Sequence, residues 1–204
     1  MQICLLASKA QILSKKWGNA PVILAGDFNS TPQSGIYKFL SSSELNIKLY
    51  DRKELSGQKQ CRPAQVLDRE KETVVQFISQ DGYFSFFGLL ILYHKLQHRM
   101  ACATDEEIKT ATGDPECHLA VHPLKLNSSY AIVNGSPSTR GFNGEPLATS
   151  YHTKFIGTVD YLWYSDGIVP TRVLDTVSIC DLRRAGGLPC KVLLIHFQWI
   201  VTYS

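Results

Sequence analysis

The feature that most constrains this chain is the stretch PVILAGDFNSTPQSGIYKF, which spans residues 21–39. The apolar run at residues 22–25 is typical of a strand that is covered on both faces. Asp27 and Asn29 follow this run directly, although nothing in the burial of a strand requires them. They could form the turn before a helix, or they could be chemistry placed at the carboxyl end of a strand. From spacing alone the two interpretations are equally favoured.

Helices are predicted on both sides of this strand. Residues 5–17 are predicted as a helix because apolar positions recur among lysines. Ser30 and Thr31 are predicted to begin a second helix, with Pro32 near its first position and residues 36–40 in its body. The order helix, strand, turn, helix predicts an α/β layered architecture. At 204 residues the chain is long enough for one domain with a sizeable core.

Further elements are predicted along the rest of the chain. They are a loop at 51–73, a surface helix at 106–112 that closes at Gly113, a short strand or helix start in HPLKLNSSYA, a Gly/Ser/Pro/Asn-rich loop at 134–146, a strand in TVDYLWYS from Thr158, a turn at Gly167 and a strand in VPTRVLDTVSI at 169–179.

Composition excludes few functions. The formal charge of +3 is compatible with a polyanionic partner, but it is far too weak to show one. The most apolar stretches, residues 83–93 and 192–203, are well short of the roughly 20 residues that span a bilayer, so no membrane association is expected. The first residues do not read as a signal peptide. The six cysteines have no C-x-x-C spacing and are predicted to be free thiols of an intracellular protein.

Asp160 is the second acid of interest, because it lies within an apolar strand and is flanked by Val159 and Tyr161. Burying a carboxylate there is costly unless a metal, an arginine or an imidazole pairs with it. A salt bridge, or an acid that faces water at a strand edge, would also explain it. Together with Asp27 and Asn29, however, Asp160 favours a site at one edge of a sheet.

Three motifs, GDFNSTPQSGIY, HPLKLNSSYA and GTVDYLWYS, together resemble the endonuclease/exonuclease/phosphatase superfamily. The resemblance covers about residues 1–72 and 101–189 and is strongest to the plant carbon-catabolite-repressor type deadenylases. It implies part of a four-layered α/β sandwich. It also implies Mg²⁺-dependent hydrolysis of phosphodiester bonds, with 3′–5′ shortening of the poly(A) tail of messenger RNA, in the cytoplasm or the nucleus.

The same resemblance assigns the catalytic roles. Asp27 is expected to bind Mg²⁺ and to position or activate the attacking water. Asn29 is expected to bind the scissile phosphate, and Asp160 is expected to hold a catalytic histidine in its productive tautomer.

It also assigns residues that bind the substrate. Phe155 occupies the place where the deadenylases carry an aromatic ring beside a base, so stacking on single-stranded RNA is expected. His152 and Lys154 are close enough in sequence to touch a phosphate, although exposed loop residues are the more favoured interpretation of these two.

Parts of the family pattern are missing from the sequence. No acid precedes Asp27, whereas the superfamily has a metal-binding glutamate upstream. At the other end, Ile195 stands before His196 where the family has an acid. The sequence therefore predicts a partial domain at 1–189 with an atypical apolar insertion at about 74–100, and an atypical tail at 190–204.

The missing parts lead us to expect weak or no activity from this chain. The alternative is a non-catalytic fragment that binds RNA or a protein of the deadenylase complex. Another branch of the superfamily, such as an inositol-phosphate phosphatase, a sphingomyelinase or a DNA-repair endonuclease, ranks lower because the motifs fit it less well. A zinc site from Cys117, His118 and His122 also ranks low, since no fourth ligand follows at standard spacing.

Overall fold

The computed structural model describes residues 2–63, 103–188 and 201–203. The predicted insertion at 74–100 and most of the predicted tail lie outside these ranges. The helices are α1 Gln2–Lys16, α2 Gly35–Ser42, α3 Asp105–Thr112, α4 Ser129–Ile132 and α5 Ile179–Ala185. The strands are β1 Ile23–Asp27, β2 Glu44–Asn46, β3 Leu119–Val121, β4 Leu126–Ser128, β5 Ser150–His152, β6 Phe155–Gly157, β7 Asp160–Ser165, β8 Pro170–Val173 and β9 Val201–Tyr203.

The largest described sheet has the strand order β1-β7-β4, and both of its pairings are antiparallel. The register of β1 with β7 runs from Ile23 opposite Tyr164 to Asp27 opposite Asp160. Since the strands are antiparallel, the carboxyl end of β1 meets the amino end of β7. This register brings together two acids that are more than a hundred residues apart in sequence.

The main core lies between this sheet and the helices α1 and α2. Trp163 of β7 is fully buried, and Ala7 of α1 and Leu40 of α2 are buried in the same cluster. The prediction of a strand covered on both faces is wrong for β1, because Ile23 is 44% exposed while Leu24 is buried. The reason is that β1 lies at the edge of the described sheet, where only alternate side chains reach the helices.

Two smaller clusters complete the packing of the described residues. One joins α2 to the β2–β3 pair through Phe39, Leu45 and Ala120. The other joins the β5–β6 hairpin to α5 through Ile156 and Leu182. This second cluster anchors the hairpin that leads directly into β7.

The helix predicted at 5–17 spans Gln2–Lys16 and the strand predicted from Thr158 begins at Asp160, but the two largest boundary errors concern hydrogen bonds that caps and turns make. The second helix is capped by Ser34, whose Oγ accepts the N–H of Tyr37, while Ser30 and Thr31 are buried in the preceding turn. The predicted strand at 169–179 ends at Val173, and Ser178 caps α5 instead. The predicted close at Gly113 is confirmed, since this residue ends α3 in a left-handed conformation.

In its described part up to residue 62, the predicted loop at 51–73 contains the short 3-10 helix Gln58–Gln60 and no sheet strand, and the predicted loop at 134–146 contains one bridge between Arg140 and Pro146. HPLKLNSSYA forms both β4 and α4. The four described cysteines, Cys4, Cys61, Cys117 and Cys180, are free thiols, as predicted. Across residues 2–63 and 103–188, none of the helices is long and apolar enough to cross a bilayer.

Candidate active site

The acids Asp27 and Asp160 form the centre of the site. Asp27 ends β1, Asp160 begins β7, and the two residues are direct partners in the register. Facing residues of antiparallel strands have Cα atoms about 5 Å apart. The two carboxylates are therefore held at one edge of the sheet by the backbone itself.

Asn29 lies on the turn that follows β1. Its backbone is left-handed with a φ of 48°, and its N–H donates to Oδ1 of Asp27 at 2.7 Å. Gln58 Nε2 donates to the carbonyl oxygen of Asn29 at 2.6 Å and to its Oδ1 at 3.3 Å. The first bond orients the Asp27 carboxylate, and the bonds from Gln58 hold the turn that carries Asn29. Gly26, with a φ of 144°, adopts a conformation there that disfavours other residues.

Asp160 is partly buried, and its environment disfavours its charged form. Burial raises the pKa of Asp160, a hydrogen bond from the Thr149 hydroxyl opposes this, and the nearby carboxylate of Asp27 raises the pKa further. Thr149 Oγ1 also accepts the backbone N–H groups of Val159 at 3.1 Å and of Asp160 at 3.2 Å. Two carboxylates that repel each other at a sheet edge would be stabilised by a cation between them.

The donor set fits Mg²⁺. Carboxylate and amide oxygens are the protein ligands that this ion prefers, and it commonly binds through one or two carboxylates together with substrate phosphate and water. Asp27 and Asp160 supply two carboxylates, and Asn29 carries an amide on the adjoining turn. Within residues 2–63 and 103–188, no third His, Cys, Asp or Glu joins these two acids to form a larger metal-binding group.

The three residues predicted to bind substrate lie on the β5–β6 hairpin. Phe155 and His152 are register partners, and their rings stack with centroids 6.0 Å apart at 28°. Phe155 is only 9% exposed, whereas His152 and Lys154 are exposed. The surface of this aromatic pair that reaches solvent is therefore mainly that of His152. At the base of the hairpin, the Thr149 N–H donates to the carbonyl oxygen of Gly157 at 3.0 Å. The Thr149 hydroxyl contacts Asp160, so the base of the hairpin adjoins the acid pair.

The structure does not bring the alternative zinc ligands together. His122 is buried, its Nε2 lies 2.9 Å from the carbonyl oxygen of Phe39, and its ring packs edge-on against the Phe39 ring. Cys117 is exposed, and its Sγ lies 3.6 Å from the carbonyl oxygen of Leu119. Among the described residues, no cluster of three metal-ligating side chains includes them.

Several residues of the site carry no sequence signal. Thr149, Gln58 and Tyr161 contact the acids or their turns from 11 to more than 100 positions away, through hydrogen bonds that only the fold creates. Local sequence patterns do not predict such long-range hydrogen bonds. The only available sign is the polar residue Thr149 next to the hairpin motif YHTKF.

Two acids and an amide at the edge of an antiparallel sheet are groups that can hold a divalent cation beside a phosphate. The model of the Endonuclease/Exonuclease/phosphatase family matches residues 5–181. The chain belongs to this family, and the predicted fold class is confirmed.

Individual relatives agree with this assignment. The chain is 54% identical over 192 residues to carbon catabolite repressor protein 4 homolog 3 of Arabidopsis thaliana, covering 94% of this chain and 39% of that protein. It is 43% identical to homolog 5 of the same plant, covering 93% of this chain and 38% of the relative. The chain thus spans about two fifths of the length of these relatives.

A solved structure shows the same fold. The crystal structure of ANGEL2, described as a 2′,3′-cyclic phosphatase, superposes with a TM-score of 0.53 at 21% identity. The match covers 92% of this chain and 46% of that one.

Proposed function

We propose that this chain is a Mg²⁺-dependent phosphodiesterase that acts on single-stranded RNA and shortens the 3′ poly(A) tail of messenger RNA in the 3′–5′ direction. The observation that supports this best is the register that places Asp27 opposite Asp160, beside Asn29. A relative in Phaeosphaeria nodorum, 25% identical over 86% of this chain, is named a 3′-5′-exoribonuclease subunit of the CCR4-Not complex.

Each residue has a distinct task in this proposal. Asp27 and Asp160 would hold Mg²⁺, which offsets the charge that develops on the phosphate in the transition state. Asp27, oriented by the N–H of Asn29, would also align the attacking water. The side-chain amide of Asn29 would donate to a phosphate oxygen, and the exposed ring of His152 and the Lys154 ammonium would contact the adjoining nucleotide.

The resemblance also gives Asp160 a second role, which is to hold a catalytic histidine in its productive tautomer. The candidate histidine, His196, lies outside the described residues, and the Asp160 side chain is hydrogen bonded to Thr149. Because Ile195 precedes His196 where the family has an acid, we expect low turnover. A non-catalytic chain that binds RNA or a deadenylase-complex protein, in the cytoplasm or the nucleus, is the alternative.

An assay on RNA with an oligo(A) 3′ tail tests this proposal. The 204-residue chain is expected to shorten the tail slowly in the presence of Mg²⁺ and to stop when EDTA removes the ion. Asp27→Ala should lower the rate about 100-fold or more, because it removes both the cation ligand and the residue that aligns the water. The matched control is Asp166→Ala, which changes an exposed acid on the turn after β7.

The other outcomes are informative. Binding of the RNA without any shortening would favour the non-catalytic alternative. Hydrolysis of an RNA that ends in a 2′,3′-cyclic phosphate, with no effect on the oligo(A) tail, would contradict the proposed substrate while leaving a phosphodiesterase site in place.

A further inference from the structure

One buried hydroxyl joins the two turns that carry the site. Tyr161 is 1% exposed, and its Oη lies 2.8 Å from the carbonyl oxygen of Ser30 and 3.2 Å from that of Thr158. Ser30 directly follows Asn29, and Thr158 precedes Asp160 by two residues. A single donor thus lies between two backbone acceptors, one on each side of the site.

The tyrosine ring has little freedom to move. Its centroid lies 6.0 Å from the Phe28 ring in an edge-on arrangement, 5.5 Å from the Tyr37 ring and 5.7 Å from the Trp163 ring. Burial raises the pKa of Tyr161, so its hydroxyl stays protonated and acts as a donor. The position of the hydroxyl is therefore set by the core of the protein and not by solvent.

The tie lies directly beyond the last hydrogen bond of the strand pairing, so losing the tie should let that bond open more often. The backbone N–H of Phe28 donates to the carbonyl oxygen of Val159 at 2.8 Å, just beyond the acid pair. That bond fixes the strand ends relative to each other. The Tyr161 side chain extends the link outward, to Ser30 on the turn that carries Asn29.

We infer that Tyr161 is a positioning residue for the site, and that its hydroxyl sets the distance between Asn29 and Asp160 by holding both turns. The catalytic meaning of this inference rests on the proposed function. The structural tie itself does not, because it can be measured without any substrate.

The test compares Tyr161→Phe with Tyr130→Phe. Tyr130 is a matched control, since it is 3% exposed and its hydroxyl donates to the carbonyl oxygen of Leu174 at 2.8 Å. Both variants lose one buried tyrosine–carbonyl hydrogen bond, so their urea midpoints should fall by similar amounts. Only Tyr161→Phe should accelerate hydrogen exchange of the Phe28 amide, by about tenfold or more.

Kinetics give a second readout wherever the wild-type chain shortens RNA. Tyr161→Phe should lower kcat about tenfold and change KM for the RNA less than about twofold, because misplaced groups weaken the transition state more than the ground state. Tyr130→Phe should change neither constant.

Unchanged exchange of the Phe28 amide in Tyr161→Phe, or equal acceleration in both variants, would overturn the inference, since the hydroxyl would then contribute only to global stability. A wild-type chain with no hydrolysis would count against the proposed function alone. In that case the comparison of exchange rates would still decide whether Tyr161 holds the turns.

Discussion

At the residue scale, the charge of Asp160 opposes the stability of the folded protein. Burial raises the pKa of Asp160, and the carboxylate of Asp27 opposite it adds to the effect. The hydrogen bond from Thr149 offsets part of this penalty. A charged carboxylate in this environment lowers the free energy of unfolding of the protein alone. This pattern is expected at a site where a bound cation or substrate offsets the charge.

Replacing Asp160 by asparagine tests this effect of its charge. The stability that protonated Asp160 provides is fully present below the ordinary aspartate pKa of about 3.9 and is lost as the pH rises through the raised folded value. Asp160→Asn is neutral at every pH. We therefore expect it to be more stable than the wild type at pH 7, by on the order of 1 kcal/mol, and no more stable at pH 3.

The measurement is urea unfolding from pH 3 to pH 8 in EDTA. Asp166→Asn, which changes an exposed acid, should follow the wild-type profile. A profile for Asp160→Asn that runs parallel to the wild type, or a loss of stability at pH 7, would show that the charge of Asp160 carries no such penalty.

At the element scale, local patterns predicted several of the elements and the end of α3 at Gly113, but not the pairing of the strands. The helix before β1, the strand itself and the body of α2 follow from hydrophobic periodicity, which is a property of neighbouring residues. Ser34 caps α2 although Ser30 and Thr31 are equally good capping residues, because those two are buried in the turn. The exposed face of β1 depends on its place at the sheet edge, which its own residues do not encode.

The cap of α2 can be tested directly. Ser34→Ala removes the oxygen that accepts the Tyr37 N–H at 3.1 Å, so the free energy of unfolding should fall by about 1 kcal/mol. Ser41→Ala, on the exposed side of the same helix, should change it by less than about 0.5 kcal/mol. Equal effects of the two substitutions in urea unfolding would show that the helix start is held by packing alone.

At the scale of the whole molecule, long-range polar contacts fix the loop at 134–146 against the layers. Glu145 is 1% exposed and accepts the hydroxyl of Tyr37 on α2 at 2.8 Å. Arg140 pairs with Asp175 at 3.0 Å, and its guanidinium lies 4.3 Å from the centroid of the Tyr130 ring. The loop leads to Thr149, so these contacts connect the packing of α2 and α4 to the position of Asp160.

The site as a whole was only partly predictable, because a local sequence pattern identifies single residues and not their long-range contacts. Asp27, Asn29 and Asp160 could be identified from short stretches of sequence, because acids and amides directly beside an apolar strand are unusual. Their register, and the support from Thr149 and Tyr161, depend on pairings between residues 11 to more than 100 positions apart. No local pattern carries that information.

The most direct test of the acid pair as a cation site uses Mn²⁺ as a paramagnetic substitute for Mg²⁺ on the isotope-labelled chain. Substoichiometric Mn²⁺ should broaden the amide signals of residues 27–29 and 159–160 first, and Asp27→Asn should abolish this selectivity while Asp166→Asn preserves it. Broadening that begins elsewhere, or that persists unchanged in Asp27→Asn, would contradict the account.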